Sequence, residues 1–262
     1  GFDKKYFYIN KKGEKQFDCP GEVCQSFNQG IAIFTEGASK GIVDTSGKVV
    51  IEAKYDDVIP LGNQLFTAKY GDLYGMINEK DEWLLKPQYD KIYAVKNKFI
   101  RAKKGNLFSF IEVANFKISS EYYDYATDYV TGIAAVKKAE KYMLIDENGR
   151  QKFTGKNHIK PGGEGYWIEE EGGKFRFINA DGKPLSDQWY EALYQFEEGL
   201  AGYQKGEYWG YINDSGVEVI PAELHIIWSC KEGKIRFKAV GFSGNDDALV
   251  DELSTMIELA SK

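Results

Sequence analysis

From residue 6 to about residue 240, apolar and polar positions alternate in short runs, broken by polar turns that carry glycine. Strict alternation is the signature of strands, because successive side chains leave a strand on opposite faces. The pattern also repeats. An aliphatic residue followed by an acid or amide recurs as Ile9-Asn10, Val43-Asp44, Ile77-Asn78, Ile111-Glu112, Ile145-Asp146, Ile178-Asn179 and Ile212-Asn213, in steps of 34 residues with a single step of 33. Three residues after each polar member stand Gly13, Gly47, Asp81, Asn115, Gly149, Gly182 and Gly216, all types that tolerate positive φ. This is the chemistry of a tight hairpin: a type I turn, then a left-handed residue that makes a bulge.

The strand before each turn has four telling positions, as in Trp209-Gly210-Tyr211-Ile212. The first is aromatic in six of seven copies, the third always large and apolar, the fourth always Ile or Val. Positions one and three share one face, two and four the other, so the strand is apolar on both faces and is expected to be covered on both. Small residues at position two (Gly41, Gly75, Ser109, Gly210) would let a ring or a backbone approach closely. Further strands surround this one: GIAIF (30–34), LFTAK (65–69) or LAGYQ (200–204) before it, and VVIEAK (49–54) or VEVIPA (217–222) after it. The prediction is an all-β chain of seven tandem antiparallel β-meander repeats of about 34 residues over 1–240. In 241–262, Asn245 and Asp246 can cap a helix, and Leu249, Leu253, Met256, Ile257 and Ala260 fall at helical spacing. That segment is expected to be an amphipathic C-terminal helix, a cap or a linker.

Composition changes the picture little. Aromatic residues at 15% and 28 glycines against 6 prolines agree with β structure. No apolar run is long enough for a membrane-spanning helix. No signal peptide is legible, so a targeting segment is expected to have been removed or to lie outside this sequence. A net charge of -6 argues against nucleic acid as the main partner. Cys19, Cys24 and Cys230 lack metal-site spacing. One pair can oxidise, but unpaired thiols are the plainer reading.

YWGYINDSGVEVIP, preceded by QFEEGLAGYQKGE, resembles the WG repeat of bacterial proteins. The likeness extends over about 5–240 and is weakest where Trp-Gly becomes Lys-Gly (40–41), Phe-Ser (108–109) or Phe-Arg (175–176). It implies a multi-copy binding scaffold, often secreted, periplasmic or at the cell surface, with no shared catalytic residue to carry over. Seven units fit a seven-bladed β-propeller-like ring, in which KIRFK (234–238) would complete the first sheet. An open solenoid or superhelix is the alternative.

Candidate chemistry is sparse. His158 and His225 are the only histidines, and no hydrolase, zinc-protease or phosphate-loop motif is present, so the chain is not expected to be an enzyme or to need a cofactor or metal. One polar series keeps the repeat phase: Glu22, Asp56, Asp90, Asp124, His158, Glu191 and His225. Each side chain either caps a local turn or joins the others in a ladder that holds a cation. Tyr166, Trp167, Trp189, Tyr190 and Trp228 form a candidate ligand platform. The expected function is non-catalytic recognition of a protein or peptide partner. A carbohydrate-binding module using the exposed aromatics is the alternative, and the degenerate stretch 107–173 is the expected place for specialised contacts.

Overall fold

The computed structural model describes residues 6–227, 230 and 237–239, so the expected helix over 241–262 lies outside the described residues. The chain forms two compact units, Gly1–Tyr122 and Tyr123–Lys262, dividing within the degenerate part of the repeat array.

In the first unit Phe7–Ile9 pairs with Lys15–Asp18 in a two-stranded sheet. Two four-stranded sheets follow: Val23–Cys24, Ile31–Glu36, Ser39–Asp44 and Val49–Tyr55, then Asp57–Gly62, Leu65–Tyr70, Leu73–Asn78 and Trp83–Tyr89. A three-stranded sheet of Lys91–Ile92, Phe99–Lys104 and Leu107–Glu112 completes it. The second unit holds Tyr125–Ala126, Ile133–Lys138, Lys141–Asp146 and Gln151–Gly155, then His158–Gly163, Tyr166–Glu171 and Lys174–Ile178. Its last sheet is Ala192–Leu193, Leu200–Lys205, Tyr208–Asn213, Glu218–Ile227 and Phe237–Ala239. Every sheet is an antiparallel meander in chain order, and no helix occurs among the described residues. Among the described residues there are seven such sheets, one per repeat. The strand expected to complete the first sheet instead pairs, at Phe237–Ala239, with Glu218–Ile227 and adds a fifth strand to the last sheet.

The repeated turn takes the expected form. Gly47 N–H donates to the Asp44 carbonyl at 3.0 Å with φ +87°, and Gly216 N–H donates to the Asn213 carbonyl at 2.9 Å with φ +77°. The side chain that opens the turn holds it from within: Asn213 Oδ1 accepts from Ser215 N–H (3.1 Å) and Val217 N–H (2.9 Å). The register then shifts by one residue between Ile42 and Val43, Leu144 and Ile145, and Tyr211 and Ile212, which is the bulge such a turn produces. One copy departs from the pattern. After Ile111 the loop is a residue longer, and the left-handed residue is Phe116 (φ +56°) instead of Asn115. Asn115 caps the turn there, its Oδ1 accepting Lys117 N–H at 2.8 Å.

Sheets bury both faces, as a strand apolar on both sides requires. Ile42, Ile51 and Tyr55 of one sheet pack on Val58, Phe66, Ala68 and Ile77 of the next. Leu65 and Met76, on the far face of that second sheet, meet Ile92, Ile100 and Ile111 of the third. In the other unit Ile133, Ala135 and Leu144 pack on Ile159, Trp167 and Ile178. The six aliphatic markers from Val43 to Ile212 are at most 2% exposed, but Ile9 is 58% exposed, against expectation. The described part of its sheet has only two strands, so its marker strand lacks the preceding neighbour found in the other six sheets.

The cysteines also depart from expectation. Cys19 and Cys24 form a disulfide with Cα atoms 5.9 Å apart, joining the ends of two successive sheets, while Cys230 is free and buried. Five residues of separation bring the two sulfurs together only because the chain reverses at Pro20 and Gly21.

Candidate functional site

Three members of the repeat-phase series cap hairpins with their side chains. Asp56 Oδ2 accepts the Gly71 N–H at 2.8 Å, Asp90 Oδ2 the Gly105 N–H at 2.5 Å and Glu191 Oε2 the Gly206 N–H at 3.3 Å. Each of these glycines is left-handed at the tip of the hairpin between the two middle strands. Burial disfavours the charged form of Glu191, but hydrogen bonds and Lys174, 3.3 Å away, outweigh it and hold the carboxyl below its usual range. Glu22 and Asp124 keep the shared main-chain bond, to the Thr35 and Lys137 carbonyls, both at 2.8 Å. His158 Nδ1 lies 3.3 Å from Glu170 Oε2, its ring between those of Tyr125 and Tyr142; His225 packs on Tyr208. His158 and Glu191 thus also reach the preceding sheet, and among the described residues no three His, Cys, Asp or Glu side chains converge on a metal position.

The aromatic platform does not assemble. Trp167 is fully buried between two sheets and Tyr190 is buried against Tyr203, so both belong to the core instead of the surface. Sheet alternation points Trp167 inward beside Ile178, its pairing partner. Tyr166 packs on Phe196 and donates its hydroxyl to the Asp214 carbonyl at 3.1 Å. Trp189 lies under the Arg176 guanidinium, 4.4 Å from the ring centre, and Trp228 lies outside the described residues. Arg176 is bound to the buried Glu169 (Nη2–Oε2 2.7 Å), which also accepts from Asn157 at 2.9 Å. This ion pair replaces the small-residue contact that Gly41, Gly75 and Gly210 make in other units. Cys230 donates to Glu198 at 3.5 Å, and burial, then Glu198, pushes its thiol up to about 11, which leaves it protonated and a poor nucleophile at neutral pH.

A larger concavity than that beside Cys230 lies within the first unit. A cavity of about 840 Å³ opens between segment 25–33 of one sheet and 60–66 of the next. Its rim carries Gln25, Ser26, Asn28, Gln29, Asn63 and Gln64, all exposed, and its buried wall includes Leu61, Leu65 and Phe66. The only charged lining residues are Asp44 and Glu79. Hydrogen bonds to Ser46 lead the causes that hold the Asp44 carboxyl below its usual range, so that wall stays anionic.

Repeat geometry explains why this junction is open. Four repeats further on, the corresponding segments are laced together: Phe196 N–H donates to the Gly162 carbonyl (2.7 Å), Gln195 Nε2 to the Pro161 carbonyl (3.1 Å) and Gly199 N–H to Glu164 (3.0 Å). Where Gln195 reaches across, the repeat phase puts Pro60, which has no amide to offer. The hairpin at the rim is a two-residue turn with both central residues left-handed, Asn63 (φ +52°) and Gln64 (φ +60°). Equivalent turns have glycine second, at Gly30, Gly132, Gly165 and Gly199. Sequence analysis missed this site. Its signal was Gln64, which, like Lys98 in the next copy, stands where four other copies have glycine.

A family model described as the WG containing repeat matches residues 41–74, 74–108, 175–209 and 209–239, which together span just over half of the chain. The chain belongs to the WG containing repeat family. None of the curated proteins matches it. Among solved structures, Hsv2 of Kluyveromyces lactis is similar with a TM-score of 0.43 at 10% identity, over 71% of this chain and 72% of that one. A eukaryotic initiation factor is similar with a TM-score of 0.44 at 10% identity, over 76% and 65%. A chain of the mitotic checkpoint complex is similar with a TM-score of 0.36 at 12% identity, over 81% and 88%. Likeness at that level carries no argument about partner or activity.

For the WG repeat, the structure gives its glycine a physical role. A Cβ on Gly75 would lie 2.5 Å from the Leu85 carbonyl oxygen and 2.8 Å from Pro87 N. The outer strand bulges over this point, and its proline tolerates the gap in the ladder because it has no N–H to pair. Glycine in the marker strand and proline in the outer strand are two halves of one close approach.

Proposed function

We propose that this WG repeat chain is a non-catalytic binding scaffold that recognises a protein or peptide partner. The observation that carries the reading is the cleft of the first unit: six exposed polar side chains, five of them amides, over an apolar wall. Such a surface holds a ligand by hydrogen bonds and contact. Repeat arrays present wide surfaces suited to large partners. Trp167 and Tyr190 are buried, so neither presents its ring to a sugar at the surface. The Cys19–Cys24 disulfide supports a secreted, periplasmic or cell-surface location, where such bonds persist.

Photo-crosslinking tests the reading. A benzophenone side chain at position 63, with one at exposed position 207 as control, is irradiated in extract of the native source. The scaffold reading expects a discrete polypeptide adduct from position 63 only, competed away by unlabelled protein. Equal adducts at both positions, or none that the protein competes, would contradict it.

A further inference from the structure

We propose that the cleft between 25–33 and 60–66 is a peptide site for an extended, neutral to cationic segment; the proposal deepens the scaffold reading and rests on it. Chemistry of the rim comes first. Gln25, Asn28, Gln29, Asn63 and Gln64 each offer a carbonyl acceptor and an amide donor, the same pair that an extended main chain presents at every residue. They stand on two facing segments, so a strand laid between them meets donors and acceptors on both sides. Ile31, Ile33 and Val50, all half-buried, supply an apolar wall for a side chain. Asp44 and Glu79 are the only charges in the lining, and no lysine or arginine faces the cavity. Phosphate, nucleotide and carboxylate ligands would therefore find no counter-charge, whereas a basic side chain would. A sugar is disfavoured for another reason: the one aromatic ring in the lining, Phe66, is buried and offers no face for stacking.

Gln64 is the second observation. Four of the five equivalent turns place glycine where Gln64 sits at φ +60°, the fifth having Lys98; glycine enters that region without strain and glutamine does not. The chain accepts that strain and gains an amide on the rim, the pattern expected when a residue serves binding at the expense of stability.

The test uses the full chain and three pools of blocked, proline-free nonapeptides of equal apolar content, carrying net positive, zero or net negative charge. Binding is read by amide chemical shifts, alongside chitotetraose and cellotetraose. The proposal expects the positive and neutral pools, and not the negative one, to shift resonances of 25–33 and 60–66. Gln64→Gly is expected to weaken this binding at least tenfold while raising the melting temperature. Gln25→Ala, at a residue outside any left-handed turn, should weaken it with no change in melting temperature. Shifts confined to another surface would overturn the cleft and leave the scaffold reading standing. Shifts at the cleft with sugar alone would overturn the peptide assignment. Equal response to the negative pool would remove the charge argument and the proposal with it. No shift with any pool up to millimolar concentration would overturn both cleft and scaffold.

Discussion

Replacing Gly75 by alanine tests the close approach at the centre of the WG repeat. The added Cβ meets the Leu85 carbonyl oxygen and the Trp83 ring at 2.5 Å, and Pro87 N at 2.8 Å. Ordinary contact begins near 3.4 Å, so the overlap approaches ~1 Å, and two of the three atoms are main chain that cannot rotate away. Relief requires moving strand Trp83–Tyr89, which also carries the buried Tyr89. Overpacking of this kind costs about 1–3 kcal/mol, with the rigid neighbours placing Gly75 at the upper end. Alanine stiffens the unfolded chain and returns about 0.4–1 kcal/mol. The net loss is about 2 kcal/mol. If Gly1–Tyr122 unfolds as one cooperative unit, that lowers its melting temperature by about 8 °C, at roughly 2.1 cal/mol/K per residue. Gly71→Ala is the control: at φ +64° with nothing within 4 Å, it meets only backbone strain, about 1 kcal/mol. Thermal melts followed by circular dichroism compare the two. If Gly75→Ala melts no lower than Gly71→Ala, the close approach is not what fixes this glycine.

Three further predictions follow from the same contacts. Glu169→Ala strands Arg176 over Trp189 without its carboxylate and should cost about 3 kcal/mol by urea unfolding, partly recovered in the double variant with Arg176→Ala; a loss below about 1 kcal/mol would show that the pair contributes little. Asp90→Ala removes the acceptor for Gly105 N–H and should cost about 1 kcal/mol without any calcium effect, whereas a calcium-dependent melting temperature lost in the variant would favour the cation ladder. Desolvation first, then nearby acids or phenols, raises the Tyr55, Tyr129 and Tyr203 hydroxyls and pushes Tyr89 up to about 12. Above pH 10 the unfolded chain therefore loses phenolic protons that the folded chain keeps, so stability falls as pH rises towards 12; a flat urea midpoint between pH 9 and about 11.5 would contradict this.

Period, turn chemistry and strand faces were legible in the sequence because they depend on neighbours two to four residues apart. Asn213 and Gly216 define a turn whatever surrounds them, and Ile212 is buried because the whole repeat is copied around it. Features set by distant partners were not legible. Ile9 carries the full marker signature, yet is exposed: the preceding sheet that packs on Ile77, Ile111, Ile178 and Ile212 has no counterpart over Ile9 among the described residues. Phe116 takes the left-handed place of Asn115 because that loop is one residue longer, which spacing of the markers alone does not reveal. The five-residue spacing of Cys19 and Cys24 admits a bridge or two thiols, and only the reversal at Pro20-Gly21 decides for the bridge. Trp167 and Tyr190 read equally well as surface or core, since both faces of every sheet are apolar. The cleft left its trace at Gln64, where four other copies have glycine, and this becomes visible only when the repeats are compared position by position and the facing loops are seen.

Hydrogen–deuterium exchange across the equivalent strands tests the central claim most directly, that each repeat is a sheet sheltered on both faces by its neighbours. The account predicts that the marker strands bearing Val43, Ile77, Ile111, Ile145, Ile178 and Ile212 exchange slowest of all, while the strand bearing Ile9 exchanges faster than the other six. Exchange at those six strands as fast as at the hairpin tips, or equal protection of the Ile9 strand, would contradict it.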